Sequence, residues 1–172
     1  MKKYSILTIS GFAGAGKTTL GKLLAKKLNY RFIAPTFKDI AKKEGISLME
    51  FQRRAEKDPD IDKKFDNYIK KEAKSGRCVI ATWLAPWMVK NSFKIWVFAP
   101  LEIRAKRLAK RDGISIKEAK RHILEREESN RKRYKKVYGI DIMDYSIFDV
   151  CLNAKTFKPK EMVGIIMEAL KR

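Results

Sequence analysis

The stretch Gly11-Phe12-Ala13-Gly14-Ala15-Gly16-Lys17-Thr18-Thr19 reads G-x-x-x-x-G-K-T and constrains the fold more than any other part of the chain. A loop of this kind needs a strand before it and a helix after it. Residues 4–10 are short and rich in β-branched side chains, the pattern of a buried strand, and Leu20, Leu23, Leu24 and Leu28 recur at helical spacing. Gly11, Gly14 and Gly16 let the backbone turn tightly and aim its amides at phosphate oxygens. The helix that begins near Lys17 adds the positive end of its dipole. The whole stretch, Gly11, Phe12, Ala13, Gly14, Ala15, Gly16, Lys17, Thr18 and Thr19, is therefore expected to bind ATP. Lys17 would reach the β- and γ-phosphates and the Thr18 hydroxyl would ligate Mg²⁺.

Beyond the loop the chain alternates strands and helices. Residues 31–34 read as a second strand broken by Pro35, and a helix is expected over 36–44, ended by Gly45. Ser47 and Glu50 form a capping-box pattern opening a helix through Lys57. Asp58 and Pro59 open the next one, with Ile61, Phe65, Tyr68 and Ile69 expected inward. Residues 77–82 read as a third strand, and 83–89, apolar but interrupted by Pro86, as a loop with a short helical turn. A fourth strand is expected over 93–99 and a helix from Pro100 to Asp112 and Gly113. Ser115 and Glu118 form a second capping-box pattern, opening a charged helix to about Tyr138. Residues 147–152 read as a fifth strand and Pro159 as the start of a last helix. This order predicts an α/β fold, a five-stranded parallel sheet with helices on both faces and ligand at the carboxyl ends of the strands.

Composition narrows the partners. Among 172 residues, 40 Lys and Arg oppose 20 Asp and Glu, a net charge of +20. That excess favours anions: nucleotides, nucleic acid or acidic surfaces. No run of about 18 apolar residues exists, so no membrane span is expected, and the weakly signal-like start runs straight into the glycine loop. The two cysteines, Cys78 and Cys151, lie in apolar strand-like runs and read as reduced core residues of a cytoplasmic protein. The lone His122 reads as a surface residue, and no Cys/His cluster suggests a structural metal.

A family resemblance sharpens this reading. Length and the near-terminal glycine loop resemble the nucleoside monophosphate kinases, a branch of the P-loop NTPases. The segments 45–48, 55–62, 94–97, 104–111, 125–129 and 133–141 are similar to the archaeal-type cytidylate kinases, over nearly the whole chain. The resemblance implies a core (1–35, 75–111 and 139–172), a helical substrate-binding insert at about 36–74 and a short helical lid at about 112–136. It implies a monomer transferring phosphate from ATP to CMP or dCMP with Mg²⁺. Lys17, Arg126 and Arg133 become the expected catalytic residues. Positions 126 and 133 are seven apart, so one helical face can present both. Arg131 joins them as a substrate contact, Arg107 and Arg111 are expected at the ATP, and Arg104 reads as solvated. Asp62 and Asp66, four apart on the insert, are candidates to accept a hydrogen bond from the cytosine amino group.

The acceptor side departs from the family pattern. Lys38 stands where an arginine is expected to grip the acceptor phosphate, and Thr82-Trp83 stands where the third strand would run into Gly-Arg. An acid after that strand is missing too. Lysine is a point charge without arginine's two-pronged grip, while Trp83 offers either a stacking surface or a core residue. Two readings follow: a kinase with an altered acceptor site, or an RNA-associated ATPase using the basic surface to hold RNA.

Overall fold

The computed structural model describes residues 4–171. Five strands form one parallel sheet: β1 (Ile6–Ser10), β2 (Arg31–Ile33), β3 (Cys78–Ala81), β4 (Phe93–Phe98) and β5 (Val150–Asn153), in the order β2-β3-β1-β4-β5. The expected three-layer P-loop NTPase architecture is what the chain adopts. β1 is central, pairing with β3 through Ile6 and Cys78 and with β4 through Leu7 and Phe93. Its residues from Leu7 to Ser10 are all buried, as an interior parallel strand requires.

Helix α1 (Lys17–Leu28) covers one face, laying Leu20, Leu24 and Leu28 on the sheet beside α8 (Pro159–Ala169), which contributes Met162 and Ile166. Each such buried side chain contributes about 1.5–3 kcal/mol of transfer free energy. Between β2 and β3 lie three helices, α2 (Phe37–Lys43), α3 (Leu48–Lys57) and α4 (Pro59–Ala73). Short α5 (Ala85–Met88) follows β3; α6 (Leu101–Asp112) and the long α7 (Ile116–Tyr138) follow β4. α7 runs back over α3, α4 and α6, closing a cavity above the carboxyl ends of the strands.

Several expectations change in three dimensions. Ser47 and Ser115 cap their helices by accepting from the Glu50 and Glu118 amides, but neither glutamate returns the bond; Glu50 pairs with Arg54 instead. The full reciprocal box forms at Thr36 and Asp39. The fifth strand begins three residues late, because Asp144 caps a 3₁₀ turn over Tyr145–Ile147. Cys78 is buried, whereas Cys151 is exposed, since β5 is the edge of the sheet. On α4, Tyr68 faces solvent at 48% exposure, and the inward positions next to Ile69 go to Asp62 and Asp66. Two carboxylates on an inner helix face are unusual, and they belong to the site.

Candidate active site

The glycine loop is held by contacts that only glycine permits at two positions. Gly11 has φ 147° and a side-chain carbon there would lie 2.1 Å from the Val97 carbonyl oxygen; Gly14 has φ 78° and would meet the Arg104 carbonyl oxygen at 2.7 Å. The loop thus lies directly on β4 and α6. Among the described residues no acceptor meets the amides of Gly14, Gly16, Lys17 and Thr18. These donors stand at the start of α1 and form an anion-binding end.

Lys17 folds back over the loop, donating to the carbonyl oxygens of Gly11 (2.6 Å) and Phe12 (3.1 Å), with its ammonium 5.4 Å from the centre of the Trp83 ring. Burial first, then the positive charges of Arg126, Arg104 and Arg111, pushes its pKa down to about 7. Arg126 of α7 is also turned inward. Its Nε is buried without a hydrogen-bond partner, and burial, reinforced by Arg111, lowers its affinity for its proton. A guanidinium left short of a partner beside a depressed lysine marks a place built for an anion.

Arg107 donates to the Gly14, Ala15 and Ala154 carbonyl oxygens at 3.3, 3.2 and 2.9 Å, bracing the outer side of the loop. Arg111 and Lys38 share Asp112: Arg111 grips both carboxylate oxygens (3.0 and 2.8 Å), and Lys38 reaches Oδ1 at 2.7 Å. These two cations hold the Asp112 carboxyl well below the usual range, the Arg111 hydrogen bonds contributing most. Thr18 and Thr19 are exposed on the first turn of α1. The Thr18 hydroxyl has no partner among the described residues.

A cavity of about 510 Å³ joins this cationic end to a second end formed by α2, α3, α4 and α7. The second end is lined by Phe37 and Phe65 and by the polar groups of Gln52, Asp62, Asp66 and Asn130. Asp66 accepts from the Tyr138 hydroxyl at 2.7 Å, and burial lifts its carboxyl to about 7 despite that bond. Trp83 is half-buried against Phe12, at a 5.8 Å ring separation, and lines the cavity beside Lys17. It therefore stands at the phosphate end and is neither a free stacking surface nor a fully buried core residue.

Three expectations are corrected here. Arg133 does not join Arg126 at the cationic end. It is 3% exposed, grips Asp62 through Nε (2.7 Å) and Nη2 (3.1 Å), and donates to Ser129 at 3.0 Å. Asp62 is consequently committed to Arg133, and of the two aspartates Asp66 keeps an oxygen free. Arg131 points to solvent with no partner among the described residues. Arg104, read as solvated, is 6% exposed: it donates to the Ala99 and Ala13 carbonyl oxygens and pairs with Glu127 of α7.

Sequence reasoning missed Gln52, Glu127 and Asn130. Ile123, Arg126, Asn130 and Tyr134 fall at the i, i+3, i+7, i+11 positions of one stripe of α7. An uncharged amide on the stripe carrying a buried isoleucine, within an otherwise charged helix, was the available signal.

Comparison with known proteins agrees with this geometry. Residues 6–156 match the model of the cytidylate kinase-like family. A cytidylate kinase of Pyrococcus horikoshii is 46% identical over 168 residues, 96% of this chain and 88% of the relative. One from Methanocaldococcus jannaschii is 38% identical, covering 96% and 97%. Among solved structures, an uncharacterized protein from Eubacterium ventriosum superposes with a TM-score of 0.73 at 18% identity, covering 96% of this chain and 98% of that one. A shikimate kinase from Bacteroides thetaiotaomicron superposes with a TM-score of 0.65 at 21% identity, covering 97% and 98%. The structural likenesses concern the fold; with the sequence matches over nearly all of the chain, they establish that this protein belongs to the cytidylate kinase-like family and is a nucleoside monophosphate kinase.

Proposed function

We propose that the protein transfers the terminal phosphoryl group of ATP directly to CMP or dCMP, giving ADP and CDP or dCDP. One observation carries the reading: a single cavity whose cationic end contains Lys17, Arg111 and Arg126 and whose other end offers base-sized walls with a carboxyl and two amides. ATP phosphates would occupy the free amides of the glycine loop, drawing Lys17 off the Gly11 and Phe12 carbonyls. An oxygen of the acceptor phosphate attacks the γ-phosphorus, the bond to the bridging oxygen breaks, and ADP leaves. Lys17, Arg111 and Arg126 then face charge that shifts during transfer, which is where fixed cations accelerate such a reaction. Arg107 contributes by keeping the loop in shape, and Arg133 by fixing Asp62.

Thr18 suits the expected Mg²⁺. It offers one free hydroxyl oxygen at the loop, and among the described residues no cluster of three acidic, His or Cys side chains competes for a metal. An ion bound mostly by phosphate and water needs no more from the protein. When bound, it neutralises phosphate charge.

Residues 36–74 act in this reading as the acceptor-binding insert and 112–136 as the lid. Lys38, now paired with Asp112, is the cation nearest to the role of acceptor-phosphate ligand. Among the described residues no helix is long and apolar enough to cross a membrane. RNA association has only the net charge behind it.

The test is a coupled assay with ATP and Mg²⁺ against each nucleoside monophosphate at low and high salt. CMP and dCMP are expected to be phosphorylated in preference to UMP, AMP and GMP. Inactivity towards every monophosphate, with ATP hydrolysis stimulated by RNA, would replace this reading with the RNA-associated one.

A further inference from the structure

Asn130 is 3% exposed and lines the cavity. Its Oδ1 accepts from Gln52 Nε2 at 2.6 Å, and Gln52 also approaches Ser129 Oγ at 3.4 Å. Ser129 in turn accepts from Arg133, which is locked on Asp62. A buried chain thus runs from Asp62 through Arg133, Ser129 and Gln52 to Asn130 and ties α4, α7 and α3 together. With Oδ1 taken, Asn130 turns its Nδ2 donor to the cavity. Among the described residues nothing accepts from Nδ2. Nδ2 is not among the buried polar atoms left without a partner, so it is open to the cavity that Asn130 lines, where a ligand can accept from it. Asp66 is the complementary group. Its Oδ2 is held by Tyr138, and Oδ1 has no partner among the described residues.

From this geometry we propose that Asn130, set by Gln52, is the residue that selects the base, donating through Nδ2 to N3 of cytosine while Asp66 accepts from the 4-amino group. The proposal rests on the CMP reading above and adds which side chains read the ring. Cytosine presents a donor at the 4-amino group and an acceptor at N3. Uracil inverts both, with a carbonyl oxygen at position 4 and an N–H at position 3. In the same pose, uracil would set its carbonyl against Asp66 and its N–H against the amide N–H of Asn130. Rejection then arises from unpaired buried polar groups and needs no steric block.

Asn130→Asp exchanges the donor for an acceptor at nearly constant volume. The CMP-over-UMP ratio of kcat/KM is expected to fall by about tenfold or more, the worth of one base-edge hydrogen-bond pattern. The loss should lie in the KM for CMP, with the KM for ATP unchanged. Substrate analogues give a second, mutation-free arm: 3-deaza-CMP, which lacks the N3 acceptor, should be poorer than CMP by about tenfold with the unaltered protein. That penalty should vanish in Asn130→Leu. Use of 3-deaza-CMP as readily as CMP, or an Asn130→Asp protein that loses CMP and UMP activity equally, overturns the assignment while leaving the kinase reading intact. An unaltered protein that phosphorylates no cytidine nucleotide overturns both.

Discussion

Lys17 sits among like charges, and its pKa of about 7 follows from burial beside Arg126, Arg104 and Arg111. Phosphate placed there favours the charged lysine. Near pH 8 the free protein holds this lysine largely neutral, so ATP binding should take up close to a full proton. Calorimetry in buffers of different ionisation enthalpy checks this, and Lys17→Ala should abolish both the uptake and the catalysis. A turnover loss under about 10²-fold in a folded Lys17→Ala protein would contradict its role on transferring charge. Asp66 titrates in the opposite sense. Its folded pKa of about 7 lies well above the ordinary carboxylate range near 3.8, burial being the first cause. The folded state therefore holds a proton that the unfolded chain releases, so the contribution to stability is full below pH 4 and is lost as pH rises to 7. Asp66→Asn cannot titrate, so melts of both proteins at pH 5 and pH 8 should show the wild type losing ground to the variant at the higher pH. Lys38→Arg addresses the acceptor phosphate. A planar guanidinium should lower the KM for CMP and leave that for ATP unmoved; an unchanged KM for CMP would remove Lys38 from the site.

At the scale of elements, the cavity depends on how α6 and α7 grip the glycine loop. Arg104 of α6 ties the loop through the Ala13 carbonyl, the end of β4 through Ala99, and α7 through Glu127. Its guanidinium also lies 5.4 Å from the centre of the Phe12 ring. Removing it leaves two carbonyls and one carboxylate without their donor. Arg104→Met should therefore cost about 3–5 kcal/mol, as for other broken buried pairs. The same measurement on exposed Arg131→Ala should move stability by no more than about 0.5 kcal/mol. Urea unfolding of the two variants separates them; similar midpoints would mean that Arg104 is not the clamp.

For the molecule as a whole, the net charge of +20 acts at a distance. A cationic surface around a cavity that takes polyphosphates should speed encounter, and salt should suppress that effect. The association rate of a fluorescent ATP analogue, measured by stopped flow, is expected to fall several-fold between about 0.02 and 0.2 M salt, with the dissociation rate changing less. A rate independent of salt would assign the charge to solvation of the surface.

The sequence alone determined whatever is written in short-range pattern. The strand, glycine loop and helix at residues 6–28, the caps at Ser47, Asp58 and Ser115, and the stops at Gly45 and Gly113 are properties of neighbouring residues. Backbone sterics and capping act over a few positions, so spacing is enough to read them. Tertiary structure decided how the charged side chains are spent. Arg133 and Asp62 are 71 positions apart, and Gln52 and Asn130 are 78 apart. Helical periodicity narrows α7 to a stripe, but a buried ion pair forms with whichever partner packing delivers, and that partner lies on another helix. Arg126, on the same stripe, kept its inward position and lacked a partner for Nε, while Arg133, one stretch further along, was consumed by Asp62. Desolvation made that distinction, since a buried charge settles on the nearest opposite one, and which is nearest is known only once α3, α4 and α7 are packed together.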